Sequence, residues 1–353
     1  MRIKELRIRD IRLRLPSYFP DATRGVVRGL DSRDLIEAGI SGIVVNTWHL
    51  MDSPGATAVE PAGGIRKFMG WPGVVASDSG GFQLLSLVHR DRSAGEVTAE
   101  GVTYVRRSGG AGKKHLFTPE KSVAAQFALG SDIMFCLDDC PSPGAGAKEN
   151  AASVERTVDW ATRCRKEYDR QAAERKLAEG DRPLLFAVIQ GGDDPGLRHE
   201  CARALVATGF DGYGFGGWPM DKNGKMKTEI LELTAGLMPA DRPRFALGVG
   251  SPSELGECRR MGYDLFDCVL PTRDARHKRL YVLDPDGKGS INIGDEKYTR
   301  DGRPVSAVCS CRLCKGYTRA YLSHLFRIED SAAWRLATIH NLVTYAAIVR
   351  GLE

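Results

Sequence analysis

The stretch LLFAVIQGG, residues 184–192, decides the fold. Six apolar side chains in a row leave no face for water, so it reads as a strand covered on both sides, and it stops on Gln190 with two glycines behind it. We place that strand at 185–190. Working outward, seven more short runs of the same kind lie at 15–19, 42–46, 74–78, 133–138, 212–217, 245–250 and 265–270. Helical segments separate them. One has Thr118 as N-cap, Pro119 at its first position and Gly130 just past its end; another, long and charged, runs from about 153 to 180. The stretch PSPGAGAKEN, 141–150, reads as a mobile loop. Eight alternating strands and helices in 353 residues, without a Gly-x-Gly-x-x-Gly after the first strand, predict an α/β protein of the (β/α)8 TIM-barrel class.

The runs finish on polar residues. Asn46, Asp78, Asp138, Gln190 and the pair Gly216–Gly217 close five of them, and in a parallel barrel those ends form one mouth where catalytic groups collect. Asp267 sits inside its run, LFDCVLP, so its side chain must face that mouth or be a costly buried carboxylate. In LDD, 137–139, one carboxylate facing the mouth sends its neighbour elsewhere, to pair with another residue. Asp78 and Asp267 in one mouth suit displacement at an anomeric carbon, one attacking and the other moving protons. The loop PTRDARHKRLYV, 271–282, holds Arg273, Arg276, Lys278 and Arg279 and is a candidate phosphate contact.

Cys309, Cys311 and Cys314 fall within six residues, which is metal-ligand spacing. Three thiolates and one imidazole, from His340 or His324, would close a tetrahedral structural zinc site, one ion per chain. The other six of the nine cysteines are scattered, as expected of reduced thiols. No apolar run approaches a membrane span, and the basic start MRIKELRIRDIRLRL lacks the apolar core of a secretion signal, so a cytoplasmic place is expected. The net charge of +5 is compatible with a polyanionic partner without requiring one.

These residues resemble the queuine and archaeosine tRNA-ribosyltransferases, the tRNA-guanine transglycosylases. The matching segments include NTWHLM (46–51), FMGWPGVVASDSGGFQLLSL (68–87), FTPEKSVAAQFALGSDIMFCLDDCP (117–141), FAVIQGG (186–192), GFDGYGFGG (209–217), ALGVGSPSEL (246–255), YDLFDCVLPTRDAR (263–276) and the cysteine cluster with YTRAYLSHL. The resemblance implies a barrel core over 1–283, a zinc-binding subdomain over 284–330, and a C-terminal helix over 331–353 that completes the barrel and brings His340 to the metal. It implies Asp267 as nucleophile and Asp78 as general acid/base. Asp138, Gln190 and the Gly217 N–H would read the base, Phe82 and Leu247 would sandwich it, and Gly216 and Gly248 would belong to the same pocket. Arg273, Arg276, Lys278 and Arg279 would contact the anticodon arm.

The function so implied is a pentosyltransferase that exchanges the wobble guanine of tRNA for a free 7-deazaguanine, queuine or its 7-aminomethyl precursor, through a covalent aspartyl intermediate, as a homodimer. Two alternatives stand beside it: the same exchange on DNA, and a non-catalytic RNA-binding subunit of a heterodimer. Three departures from the family pattern are visible. The N-terminal hairpin is missing or reduced to 1–14, WPMDKNG follows Gly217, and Asp139 stands where a glutamate is usual.

Overall fold

A computed structural model describes residues 3–108, 111–283 and 289–352. Its strands are β1 (Glu5–Ile8), β2 (Ile11–Arg14), β3 (Ser17–Pro20), β4 (Gly42–Asn46), β5 (Val74–Asp78), β6 (Gly95–Val97), β7 (Val102–Ser108), β8 (Ala111–Phe117), β9 (Ile133–Phe135), β10 (Leu184–Ile189), β11 (Gly212–Phe215), β12 (Arg244–Ala246), β13 (Leu265–Cys268), β14 (Arg279–Val282) and β15 (Gly289–Asn292). Eight of them form one parallel sheet in the order β3-β13-β12-β11-β10-β9-β5-β4. Each strand thus lies beside its sequence neighbour among the eight. The two outer strands meet as well: Asp21 bridges Val44, the Ala22 amide donates to Val44 O (2.7 Å) and the Asn46 amide to Thr23 O (3.1 Å). This is a (β/α)8 barrel.

Alternation along the strands divides the core in two. Phe19, Val44, Val74, Ala76, Ile133, Phe135, Phe186, Val188, Phe245 and Leu265 pack with one another inside the barrel, while their neighbours face the helices. Edge-on ring pairs tie the strands together, Phe135 to Phe245 at 5.3 Å and Phe135 to Phe186 at 5.6 Å between centroids. The strands β1 and β2 pair as an antiparallel hairpin. Its Ile8 and Leu13 pack on the inner cluster, and the Arg9 guanidinium donates to Gly130 O and Asp132 Oδ1, both just ahead of β9. It therefore closes the amino end and leaves the other end open.

All eight expected strands are present, most of them shorter at the mouth. The run at 133–138 ends as a strand at Phe135, because the Leu137 amide turns to Cys164 Sγ and the Asp139 amide to Thr157 Oγ1 on the outer helix. The run at 245–250 ends at Ala246, ahead of the turn at Gly248 with φ of 73°. The helix Pro119–Leu129 has Thr118 as N-cap and Gly130 as C-cap, as its sequence signals. The long helix is Ala147–Glu174, so the last four residues of the expected loop at 141–150 are helical. Its start lies at Gly146, beyond which Ala147, Lys148 and Glu149 are all compatible with a helix; Lys176, with φ of 52°, stops it before 180.

Two additions interrupt the repeat. The antiparallel sheet β6-β7-β8 is inserted after the helix Gly81–Arg90, and the sequence reading did not anticipate it. After β13 and the helix Leu270–Arg276, the chain makes the hairpin β14–β15 and a cysteine-bearing stretch, then returns in the helix Ser331–Arg350, which packs against β3 and Leu270–Arg276. The boundary expected at 283/284 falls within that hairpin, and 284–288 lie outside the described residues.

Candidate functional site

Counting in twos from the inner core reaches the mouth on six of the strands, while on β9 the alternation breaks at Leu137, which packs outward, and Asp138 follows it. Above Phe19 comes Asp21, above Val44 comes Asn46, above Ala76 comes Asp78, above Val188 comes Gln190, above Phe245 comes Leu247, and above Leu265 comes Asp267. β11 offers glycine at every inward position, 212, 214 and 216. A Cβ on Gly216 would lie 2.5 Å from Gln190 Nε2 and 2.6 Å from Val188 Cγ1, so only glycine leaves room there. Gly217 follows at φ of 100°, a conformation that turns the backbone across the opening.

Besides Asp21, three carboxylates stand in this mouth. Asp78 accepts from the Asn46 amide (2.6 Å), the Thr47 and Gly80 backbone amides (3.0 Å each) and Gln83 Nε2 (3.3 Å). Burial still outweighs these donors and pushes its pKa up to about 6. Asp138 accepts from Gln190 Nε2 (2.7 Å); burial raises it to about 7, and the nearby charges of Asp139 and Asp78 add to the rise. Asp267 accepts from the Gly248 amide (3.1 Å), and burial, followed by the charges of Asp21 and Asp78, raises it to about 7. All three are only partly covered where their strand neighbours are buried, so they face an opening.

Asp139 points the other way. It is buried and paired with Arg156 at 2.7 Å, the arrangement expected for adjacent carboxylates. Behind Gln190 sits Arg198, buried and donating to Ile189 O (2.7 Å) and twice to Gly192 O (3.0 and 2.8 Å). Its guanidinium lies 4.5 Å over the Phe215 ring, and burial lowers its pKa to about 10. It clamps the Gln190–Gly192 turn, and the sequence reading did not single it out. Two amide oxygens, of Gln83 and Gln190, are buried without a partner among the described residues, which is the pattern of a pocket built for a polar ligand.

Phe82 is exposed at the rim, its ring 5.5 Å from that of Trp218. Trp218 Nε1 donates to Pro141 O (3.0 Å), so the departing loop leans over the mouth. Leu247 stands near Gly214 on the far side. The basic residues divide. Arg276 is half-buried beside Asp21 and Arg28 with its Nη1 unpartnered among the described residues, and burial lowers its pKa. Arg273 and Arg279 flank Asp274 at 3.7 Å each, and with Ser251 and Tyr281 they line a cavity of about 240 Å3. Lys278 is exposed.

At the other end of the chain the ligand atoms of Cys309, Cys311, Cys314 and His340 all lie within 4.8 Å of one another. His340 Nδ1 is 3.5 Å from Cys311 Sγ and 3.3 Å from Cys314 Sγ, while Nε2 sits 2.7 Å from Tyr281 O. That carbonyl fixes the proton on Nε2 and leaves Nδ1 free to ligate, so the cluster is able to hold a metal ion. His324 is exposed and takes no part.

A family model described as Queuine tRNA-ribosyltransferase matches residues 1–352. Curated relatives carry the same name. The chain is 40% identical over 335 residues to one from Solidesulfovibrio magneticus, covering 95% of this chain and 85% of the relative. It is 38% identical over 338 residues to one from Gloeobacter violaceus, with coverage of 95% and 85%, and 39% identical over 327 residues to one from Thermoanaerobacter pseudethanolicus, with coverage of 93% and 82%.

Proposed function

The chain belongs to the queuine tRNA-ribosyltransferase family, a family of transferases, and we propose from that premise that it exchanges guanine in tRNA for a free 7-deazaguanine by way of a covalent bond to Asp267. The observation that carries this reading is the pair Asp78 and Asp267, two partly exposed carboxylates with raised pKa values at one barrel mouth. Ionised Asp267 attacks C1′ of the target nucleotide as the C1′–N9 bond breaks, and the departing guanine keeps the electron pair. Asp78, its pKa raised to about 6 by burial, donates the proton that neutralises it. The incoming base then loses a proton to Asp78 and displaces Asp267 from C1′, which restores both carboxylates.

Asp138 and Gln190 suit a guanine-type edge: the carboxylate accepts from two adjacent N–H groups, while the Gln190 amide and the Gly217 N–H donate to the carbonyl oxygen. Phe82 and Leu247 would cover the two faces of the base, with Gly216 and Gly248 leaving it space. Arg273, Arg276, Lys278 and Arg279 would take the phosphates of the anticodon arm. The three thiols and His340 fit zinc as a closed structural site, because soft sulfur ligands and an oriented imidazole match its preferences. When bound, that ion supplies a cross-link between the cysteine stretch and the last helix and no step of the exchange. We divide the chain accordingly into a core over 1–283, a zinc unit over 284–330 and a closing helix over 331–353.

A homodimer follows the family, and the stacked, exposed rings of Tyr317 and Tyr321 offer it an apolar surface. No helix among the described residues is long and apolar enough to cross a membrane, and nine free cysteines suit the reducing cytoplasm. The position of Trp218 beside Phe82 favours queuine over the charged aminomethyl base, since its ring adds apolar surface at the rim; covering part of a cyclopentene is worth ~1–2 kcal/mol, roughly tenfold in kcat/KM. The test is mass spectrometry of tRNA and DNA nucleosides after incubation with each base, using wild type and Trp218→Leu. New base in tRNA alone supports the reading, incorporation into DNA supports the alternative polymer, and an unchanged base preference in Trp218→Leu removes the selectivity role.

A further inference from the structure

The strand-end residue that the sequence reading passed over is Asp21. It follows β3 directly, and its bridge to inward-facing Val44 together with its place two residues beyond inward-facing Phe19 fixes its side chain on the barrel interior. The register of β3 against β13 pairs Phe19 with Asp267, so Asp21 stands one inward step above Asp267's neighbour on the adjacent strand. It stands on the strand between those that carry Asp267 and Asn46, across the ring of strands from Gln190 and Gly216. The Thr23 amide donates to its Oδ1 (3.1 Å), and the Thr23 hydroxyl bonds the same oxygen, which holds the side chain in place. Both Asp267 and Arg276 feel its charge, which agrees with a position between the two.

An attack by Asp267 on C1′ brings the sugar, not the base, against this side of the mouth. The hydroxyl on the adjoining carbon is the sugar's nearest donor, and it is the group that separates RNA from DNA. We propose that Asp21 accepts a hydrogen bond from the 2′-hydroxyl of the target nucleotide and thereby selects ribose. The proposal rests on Asp267 as the nucleophile and deepens that reading by assigning the polymer to a residue of this chain. No bond is made or broken by Asp21, so it is a specificity residue.

The test uses two RNA hairpins that differ only in a ribo or 2′-deoxy target guanosine, with radiolabelled guanine as the incoming base. A hydrogen bond to a charged acceptor predicts a ribo-over-deoxy ratio in kcat/KM of about 10 to 100 for wild type, falling to within about twofold of one in Asp21→Ala. Asp21→Asn, which keeps an acceptor for the Thr23 amide, shows a smaller fall in the same ratio and carries the test if the alanine variant does not fold. A wild-type ratio near one, or an unchanged ratio in the variants, overturns the role of Asp21. Absence of labelled guanine in the ribo hairpin with wild type overturns the transglycosylase reading itself, and this role with it.

Discussion

Asp78, Asp138 and Asp267 keep their protons to higher pH in the folded chain than in the unfolded one, chiefly because burial disfavours their charge. Groups with raised folded values contribute stability that is complete below the unfolded value and is lost as pH climbs through the folded one. For Asp267 that window runs from its ordinary 3.8 up to about 7. The proposed attack on C1′ needs the opposite, an ionised Asp267. Because the proposed exchange also needs Asp78 protonated, its rate should follow a bell with its maximum between about 6 and about 7, while the melting temperature of the free protein falls as pH climbs to about 7. Asp267→Asn removes the titration, so we expect its melting temperature to exceed wild type by about 1–3 °C at pH 8 and by little at pH 4 to 5. Melting curves at both pH values check this, and an equal offset at the two would contradict the burial account. Much of this residue-scale picture was legible in sequence, because apolar runs ending on Asp78, Asp138 and Gln190 leave few other places for those side chains. Asp21 is not: the apolar run 15–19 stops short of it, and counting two more residues up the inward face from Phe19 is the signal that finds it.

At the scale of elements, the last helix joins two tasks. Ser331–Arg350 packs its apolar side on β3 and on the helix after β13, and it places His340 among three thiols with Nε2 held by Tyr281. The spacing of the cysteines announced the cluster, whereas the choice between His340 and His324 is settled by burial: one is fully enclosed, and the other is exposed on the helix Arg319–Arg327. Elemental analysis of purified protein should give about one zinc per chain in wild type and in His324→Ala, and below ~0.2 in His340→Ala. Retention of zinc by His340→Ala would refute this ligand set. The inserted sheet β6-β7-β8 escaped the sequence reading because its strands mix charge with apolar residues, as in VTYVRRS, and so lack the continuous apolar run that marked the barrel strands.

For the whole molecule, the barrel gathers its polar groups at one end. The hairpin β1–β2 closes the amino end with Ile8 and Leu13, and the carboxyl ends of the strands carry the acids, the amides and the glycines. Arg198 and Arg156 hold the turns behind that surface and were invisible in sequence, since an arginine on an outer helix gives no sign that it reaches inward. The claim on which the rest depends is that Asp267 forms the bond to C1′. It is tested most directly by incubating the protein with tRNA, denaturing, and separating the products on a gel. Wild type should give a protein–RNA band that resists denaturation, with the modified peptide containing Asp267. Asp267→Asn should give none while binding tRNA with a Kd within about threefold of wild type, since the substitution removes the nucleophile and keeps the shape. The same band in Asp267→Asn, or an adduct mapped to another residue in wild type, would contradict the account.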